Sequence, residues 1–375
     1  MKTLTGVEGL ARLMAMTPND VMDTAYSGFE FDPINTVEHY LFAAHMDFPT
    51  LKADVQMTGD GVPVTCHDPG FTVREGGEIG PFKKDAHTRI RDMTLAEVKA
   101  LTHPFCPELG YKPRIATVEE FLWVCKVTGK MPYLTLRETY PEETVRECLR
   151  LLRKYGLEDR CVINSSTRET LEEVRRQGHP NILLSQVLDL REPIPADLPE
   201  RVSELGPAMI TAFFFPCSRE RSEELLEASR PAIAAAKALQ VPLHMAQIRD
   251  PADREWSLEK GFNGFHVLYM RPVRTPQTVT FALGYDGMTC TVSGAYAGTA
   301  SAEEGKLTLT SLRRADSPLT VDDVLPALWL ARLPYTVTAE SKKGQTVSAA
   351  VEAGHLTLRG FDPAKADTFT VTVKI

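Results

Sequence analysis

The sequence lacks any apolar run near the ~18 residues that a membrane-spanning helix needs. Its most hydrophobic early stretch, Gly9 to Met16, is broken by Arg12. It lacks a basic excess: 42 Lys and Arg stand against 50 Asp and Glu, a net charge of -8. Duplex-binding domains carry a cationic footprint, so no nucleic-acid partner is expected. It lacks paired cysteine motifs: the seven cysteines are odd in number and none forms Cys-x-x-Cys, which argues against a zinc ribbon or a thiol-exchange pair. Reduced thiols and a cytoplasmic setting are the expectation. Internal repeats and low-complexity tracts are absent too, and 43% hydrophobic with 25% charged residues describes an ordinary globular chain able to bury a core.

What is present is alternation. From about residue 50 to 270, short β-branched and aliphatic runs alternate with helical patterns: Leu51 to Met57, Tyr133 to Leu136, Cys161 to Asn164, Ile182 to Val187, Ile210 to Phe215, Pro242 to Ala246 and Gly264 to Tyr269. Between them, Thr94 with Glu97 and Thr117 with Glu120 have the spacing of capping boxes, and Pro231 interrupts a helix over Glu220 to Leu239. Seven or eight strand-helix units imply a parallel sheet with right-handed crossovers, closed as a (β/α)8 barrel. The stiff segment Arg271-Pro272-Val273-Arg274-Thr275-Pro276 then leads into Thr- and Val-rich runs of period two. The expected organisation is a TIM barrel over 1–272 and a small antiparallel, sandwich-like β domain over 277–375.

The most informative segment is Asn35-Thr36 followed, fourteen residues on, by Leu51-Lys52-Ala53-Asp54-Val55-Gln56-Met57-Thr58-Gly59-Asp60-Gly61-Val62-Pro63-Val64-Thr65-Cys66-His67-Asp68-Pro69. It resembles the glycerophosphodiester phosphodiesterase family of phosphoinositide-phospholipase-like TIM barrels, whose pattern is His-Arg-Gly, then Pro-Glu-Asn-Thr, then Glu-x-Asp-Val-Gln-x-Thr-x-Asp-Gly-x-Pro-Val-x-x-His-Asp. Met93 to Leu101, Ile115 to Leu122 and Cys161 to Ser166 continue the likeness in order. The resemblance implies hydrolysis of a small glycerophosphodiester in phospholipid metabolism. It also implies a Mg or Ca ion on the Glu and Asp of Glu-x-Asp and a third Glu, with two histidines as general acid and base.

Against that pattern this sequence departs at chosen places. The first His falls on Ala25, the Arg on Tyr26, the Glu of Glu-x-Asp on Lys52 and the third ligand on Thr135; Asp54 and His67 remain, with Arg137 where the family has Lys. A hard divalent cation wants several carboxylate oxygens, and an ammonium beside the one that remains repels it. The expectation is therefore no resident metal, with Asp54 as its ligand if one binds at all. His67 is the candidate catalytic residue. Lys52, Arg137, Asp54 and Tyr26 are the candidates for binding a small anionic phosphodiester or phosphate. Two readings stay open: a phosphodiester hydrolase, or a catalytically degenerate barrel that holds a phosphate-bearing molecule through Lys52 and Arg137. A metal-independent transfer giving a cyclic phosphate is a third. His244 and His266 read as core histidines, Gln186 as a possible pocket residue, and Phe213-Phe214-Phe215 and Trp256 as packing. Glu119 and Glu138 are the acids that a register slip could bring to the third-ligand strand.

Overall fold

A computed structural model describes residues 2–4, 20–25, 34–44, 48–82, 88–106, 111–137, 141–213, 219–268, 277–283, 290–293, 297–303, 306–313, 336–352 and 355–374. Eight strands form the expected closed ring: β1 (Asp20–Ala25), β2 (Thr50–Met57), β3 (Met131–Leu136), β4 (Val162–Ser165), β5 (Leu183–Asp189), β6 (Ala208–Phe213), β7 (Leu243–Ile248) and β8 (Gly264–Val267). Each pairs in parallel with its neighbours, and β1 closes the ring by pairing with both β8 and β2. β1 carries no strong β-branched run, which is why the sequence gives it little signal.

The helices between the strands form where capping chemistry says they should. Thr94 opens Leu95–Ala100 and Thr117 opens Val118–Thr128, each with the reciprocal Thr and Glu hydrogen bonds of a capping box. Gly129, at φ 69°, ends the second of these in the left-handed conformation that glycine adopts without strain. The expected helix over Glu220 to Leu239 is two, Arg219–Ala228 and Arg230–Ala238, with Ser229 between them and Pro231 in the first turn of the second. The Gly- and charge-rich excursion after His67 is more ordered than a loop. It holds a three-stranded antiparallel sheet of Gly70–Val73, Ile79–Phe82 and Thr88–Arg89.

By alternation, every second residue of a barrel strand faces inward. Met22, Met131, Tyr133, Val162, Leu183 and Met209 fill one inner layer as an apolar floor. On the outer face, Asp23 is fully buried against Arg254 of the helix Pro251–Glu259, through Nε to Oδ1 at 3.0 Å and Nη2 to Oδ2 at 3.2 Å. This two-pronged bridge fastens the first strand to the last helix of the barrel.

Contacts divide the chain into one unit of Met1–His103 with Arg114–Met270 and another of Pro104–Pro113 with Arg271–Ile375. The second holds two four-stranded antiparallel sheets. One runs Cys290–Ser293, Gln277–Leu283, Asp367–Lys374, Thr336–Ser341; the other runs Ala297–Glu303, Lys306–Arg313, His355–Arg359, Ser348–Glu352. Of the seven cysteines, Cys66, Cys106, Cys125, Cys148 and Cys161 are buried free thiols. Among the described residues no helix is long and apolar enough to cross a membrane.

Candidate functional site

Above the apolar floor the barrel interior turns polar. The register sets Lys52 beside Tyr133 and Asp54 beside Thr135 across β2 and β3, then Thr135 beside Asn164 across β3 and β4. Lys52 and Asp54 are two residues apart on one strand, so both point inward, and both are buried. Lys52 Nζ donates to Asp54 Oδ2 at 2.6 Å, and Arg137 Nε, just beyond the end of β3, donates to Asp54 Oδ1 at 2.8 Å. Each carboxylate oxygen thus has its own cation. Burial alone would raise the Asp54 carboxyl, but Lys52 and Arg137 outweigh it and hold the group far below the usual carboxylate range. Burial pulls Lys52 down to about 8 against the pull of Asp54, so the ammonium persists at neutral pH. Arg137, with its side chain 32% exposed, brings its guanidinium toward the solvent.

Thr135 is part of the same wall: its hydroxyl accepts from Asn164 Nδ2 at 3.0 Å. Asn164 Oδ1 is buried with no hydrogen-bond partner among the described residues. Deeper in the barrel, the Tyr133 hydroxyl meets Ser185 at 3.1 Å and Thr211 at 2.9 Å, and those two hydroxyls are 2.7 Å apart. His266 lies edge-on to Tyr133 with ring centres 4.8 Å apart, and His244 lies 6.2 Å from His266. Burial pushes His244 down to about 3; burial, then His244 and Lys52, hold His266 well below its usual range. Both are therefore neutral rings of the barrel interior, but His244 is not the satisfied structural histidine expected, since neither ring nitrogen has a hydrogen-bond partner among the described residues.

His67 follows the short strand Pro63–Thr65, which lies antiparallel to β2. Its side chain is 38% exposed, and Nδ1 is 2.9 Å from Asp68 Oδ1. Cys66 N donates to Asp54 O at 2.9 Å, tying the His67 loop to the strand that carries Asp54. On the β5 to β8 side of the barrel the lining is apolar: Phe213 and Ala246, with Val187 and Leu268 packed on them. The interior is thus charged on one side and greasy on the other.

The remaining sequence candidates sit elsewhere. Gln186 alternates out of the line of Ser185 and Val187, and its amide donates to Ser166 O at 2.9 Å, so it is not a pocket residue. Glu119 pairs with Lys154 and with the Tyr155 hydroxyl on the outer helices, so no register slip brings it to Asp54. Trp256 Nε1 donates to Glu223, and Phe213 packs in the apolar cluster. Tyr26, Glu138, Phe214 and Phe215 lie outside the described residues. Sequence reading missed Asn164, whose place beside Thr135 emerges only from the β3 to β4 register. Its one signal was an amide in the middle of the short run Val162–Ser165.

A divalent cation is the group the family resemblance implies, and the described residues do not fit it. Asp54 is the carboxylate at the centre of the polar wall, and both its oxygens are held by internal cations. The neighbouring inward positions offer an ammonium and a hydroxyl. Among the described residues no three His, Cys, Asp or Glu side chains cluster as metal ligands.

Residues 29–210 match the glycerophosphoryl diester phosphodiesterase family. No curated protein matches the chain. Among solved structures, a candidate glycerophosphoryl diester phosphodiesterase from Silicibacter pomeroyi DSS-3 shares 22% identity, covering 67% of this chain and 90% of its own, at a TM-score of 0.52. An Oleispira antarctica phosphodiesterase, solved with the product sn-glycerol-3-phosphate, shares 20% identity over 66% of this chain and 92% of its own, at a TM-score of 0.50. A glycerophosphodiester phosphodiesterase from Parabacteroides distasonis ATCC 8503 shares 18% over 66% and 92%, at 0.51. At these identities the likeness to the three structures is one of fold.

Proposed function

We propose that this chain, which over residues 29–210 belongs to the glycerophosphoryl diester phosphodiesterase family, takes a small glycerophosphodiester-type anion at the C-terminal mouth of its barrel. The observation that carries the reading is the Lys52, Asp54 and Arg137 cluster. Arg137 is held through its Nε on Asp54 at the end of β3, and a guanidinium is a group well matched to phosphate oxygens. The C-terminal ends of barrel strands are where such folds do their chemistry. The apolar side of the interior, Phe213, Val187, Ala246 and Leu268, suits the carbon part of the ligand. The sn-glycerol-3-phosphate bound by the Oleispira antarctica protein has the same chemistry of phosphate plus short alcohol.

The family reaction is hydrolysis: water adds to phosphorus, the P–O bond to the alcohol breaks, and the departing alkoxide takes a proton. His67 is the proton carrier we assign to it. Asp68 at Nδ1 fixes the ring, and Nε2 is the nitrogen for the ligand. A second reading, binding without turnover, is favoured by the same saturation of Asp54, because no second histidine joins His67 in the described site. Phosphorus NMR of glycerophosphocholine with the pure protein separates the two. Release of a phosphomonoester that is lost in His67→Ala supports hydrolysis; a perturbed but persistent diester signal supports binding alone. A cyclic phosphate would reveal intramolecular transfer. The seven cysteines, odd in number and without paired spacing, support a reducing, cytoplasmic setting for either activity.

A further inference from the structure

Near its C-terminal end β7 breaks its own pattern. Met245 pairs with Phe265 and Ile248 with Val267, so two residues of β7, Ala246 and Gln247, stand opposite the single residue His266 of β8. Two residues against one is the count of a β-bulge, which resets the alternation of faces. Phe265 points outward, under the Arg254 guanidinium at 5.0 Å, so Met245 and Ile248 keep the outward step while Ala246 and Gln247 share the inward one. Pairing resumes just beyond, where Leu268 N donates to Ile248 O at 2.8 Å. Ala246 packs against Phe213, with Val187 and Leu268 around them. Gln247 follows on the mouth side, half-buried between two buried neighbours.

The Gln247 backbone is at φ 65°, a left-handed conformation that costs free energy for any residue with a Cβ. Among the described non-glycine residues, Asn35 and Gln240 share a positive φ. Asn35 is of a type that tolerates it, and Gln240 follows the end of the helix Arg230–Ala238, where such a residue commonly closes the last turn. Gln247 has neither reason, being a long side chain inside a strand. Its amide makes no hydrogen bond among the described residues that would offset the strain. Strain of this kind is characteristic of positions that clamp a ligand.

We infer that the bulge turns the Gln247 amide into the mouth, where it reads a hydroxyl on the alcohol part of the ligand. The wall beside it, Phe213, Val187, Ala246 and Leu268, is apolar and would accept a polyol and a hydrocarbon chain alike. A neutral amide that both donates and accepts tells the two apart, because it can hold a hydroxyl in either sense. It adds selectivity for the alcohol and leaves the phosphate to Arg137. This rests on the mouth taking the glycerophosphodiester-type anion proposed above.

The test is thermal unfolding of the whole chain titrated with sn-glycerol 3-phosphate and with n-propyl phosphate, the same carbon chain without its hydroxyls, in chelator and again with Mg. The native chain should prefer the glycerol ester under whichever condition binding occurs. Gln247→Gly should lower that preference by about fivefold, the worth of one neutral hydrogen bond. Glycine suits a positive φ, so the variant should unfold at a urea midpoint no lower than the native chain's. A native chain without preference, or a preference that Gln247→Gly leaves intact, overturns the inference while the mouth remains the anion site. Equal weakening of both esters places Gln247 on the phosphate and overturns the assignment. A lower midpoint makes the side chain a support of the fold and overturns it too. No Tm rise with either ester under either condition overturns the anion site along with the inference.

Discussion

Acid should weaken the barrel through His244, and by an amount the structure fixes. Both ring nitrogens of His244 lack a hydrogen-bond partner among the described residues, and the ring is fully buried. Among the described residues its neighbours are His266 at 6.2 Å between ring centres and the hydroxyl set of Tyr133, Ser185 and Thr211 on the neighbouring inward positions; the Asp54 carboxylate lies beyond His266, already paired with Lys52. Burial pushes its pKa down to about 3 from an ordinary 6.5. The sign follows from linkage. The unfolded chain takes the proton first as pH falls, so the stability held above pH 6.5 drains away between 6.5 and 3. Each pH unit is worth about 1.4 kcal/mol, which makes the loss at pH 5 about 2 kcal/mol from His244 alone. His266 adds in the same direction. Urea unfolding at pH 7.5 and at pH 5.0, on the native chain and on His244→Phe, isolates the contribution. The native chain should lose about 2 kcal/mol more than the variant between the two conditions. Equal losses would refute the reasoning, as would a His244 proton resonance titrating near pH 6.5 in the folded protein.

Two further substitutions probe the same interior. Asp54→Asn removes the carboxylate that both Lys52 and Arg137 hold, so unfolding stability should fall by about 3–5 kcal/mol, whereas Lys52→Met with Asp54→Leu removes both charges of the buried pair and should cost far less; urea titration compares them. A Cβ on Gly264 would lie 2.0 Å from the His244 ring, so Gly264→Ala should destabilise by about 1–3 kcal/mol, and the coupling should shrink sharply in a His244→Ala background.

Much of the architecture was legible because its signals are local. The capping pairs Thr94 with Glu97 and Thr117 with Glu120 are three-residue patterns, and the structure shows both boxes complete. In the C-terminal unit, the Thr- and Val-rich runs of period two form antiparallel strands, among them Gln277–Leu283, His355–Arg359 and Asp367–Lys374. It failed at Ala297–Glu303, a strand of Ala, Gly, Ser and Thr with neither β-branched bulk nor contrast between its faces. The sheet of Gly70–Val73, Ile79–Phe82 and Thr88–Arg89 escaped for the opposite reason, its short strands lying among glycine and charge.

The site was half legible. Lys52, Asp54 and Arg137 came from motif position, and the structure joins all three through one carboxylate. Their pairing through Asp54 was not legible, because motif position does not give side-chain distances. The geometry shows the salt bridge directly, and it is the solvent-facing Arg137 that keeps the pocket reading alive. Asn164 and the Tyr133, Ser185 and Thr211 hydroxyls could not be read, because they meet across strands 26 to 78 residues apart. Only the barrel's closure and register place such residues together.

The most direct measurement is calorimetric titration of sn-glycerol 3-phosphate into the native chain and into Arg137→Ala, both in chelator. A phosphate-binding mouth built on Lys52, Asp54 and Arg137 gives saturable binding to the native chain, at least about tenfold weaker in the variant. Identical isotherms, or heat that appears only after a divalent ion is added, would contradict it.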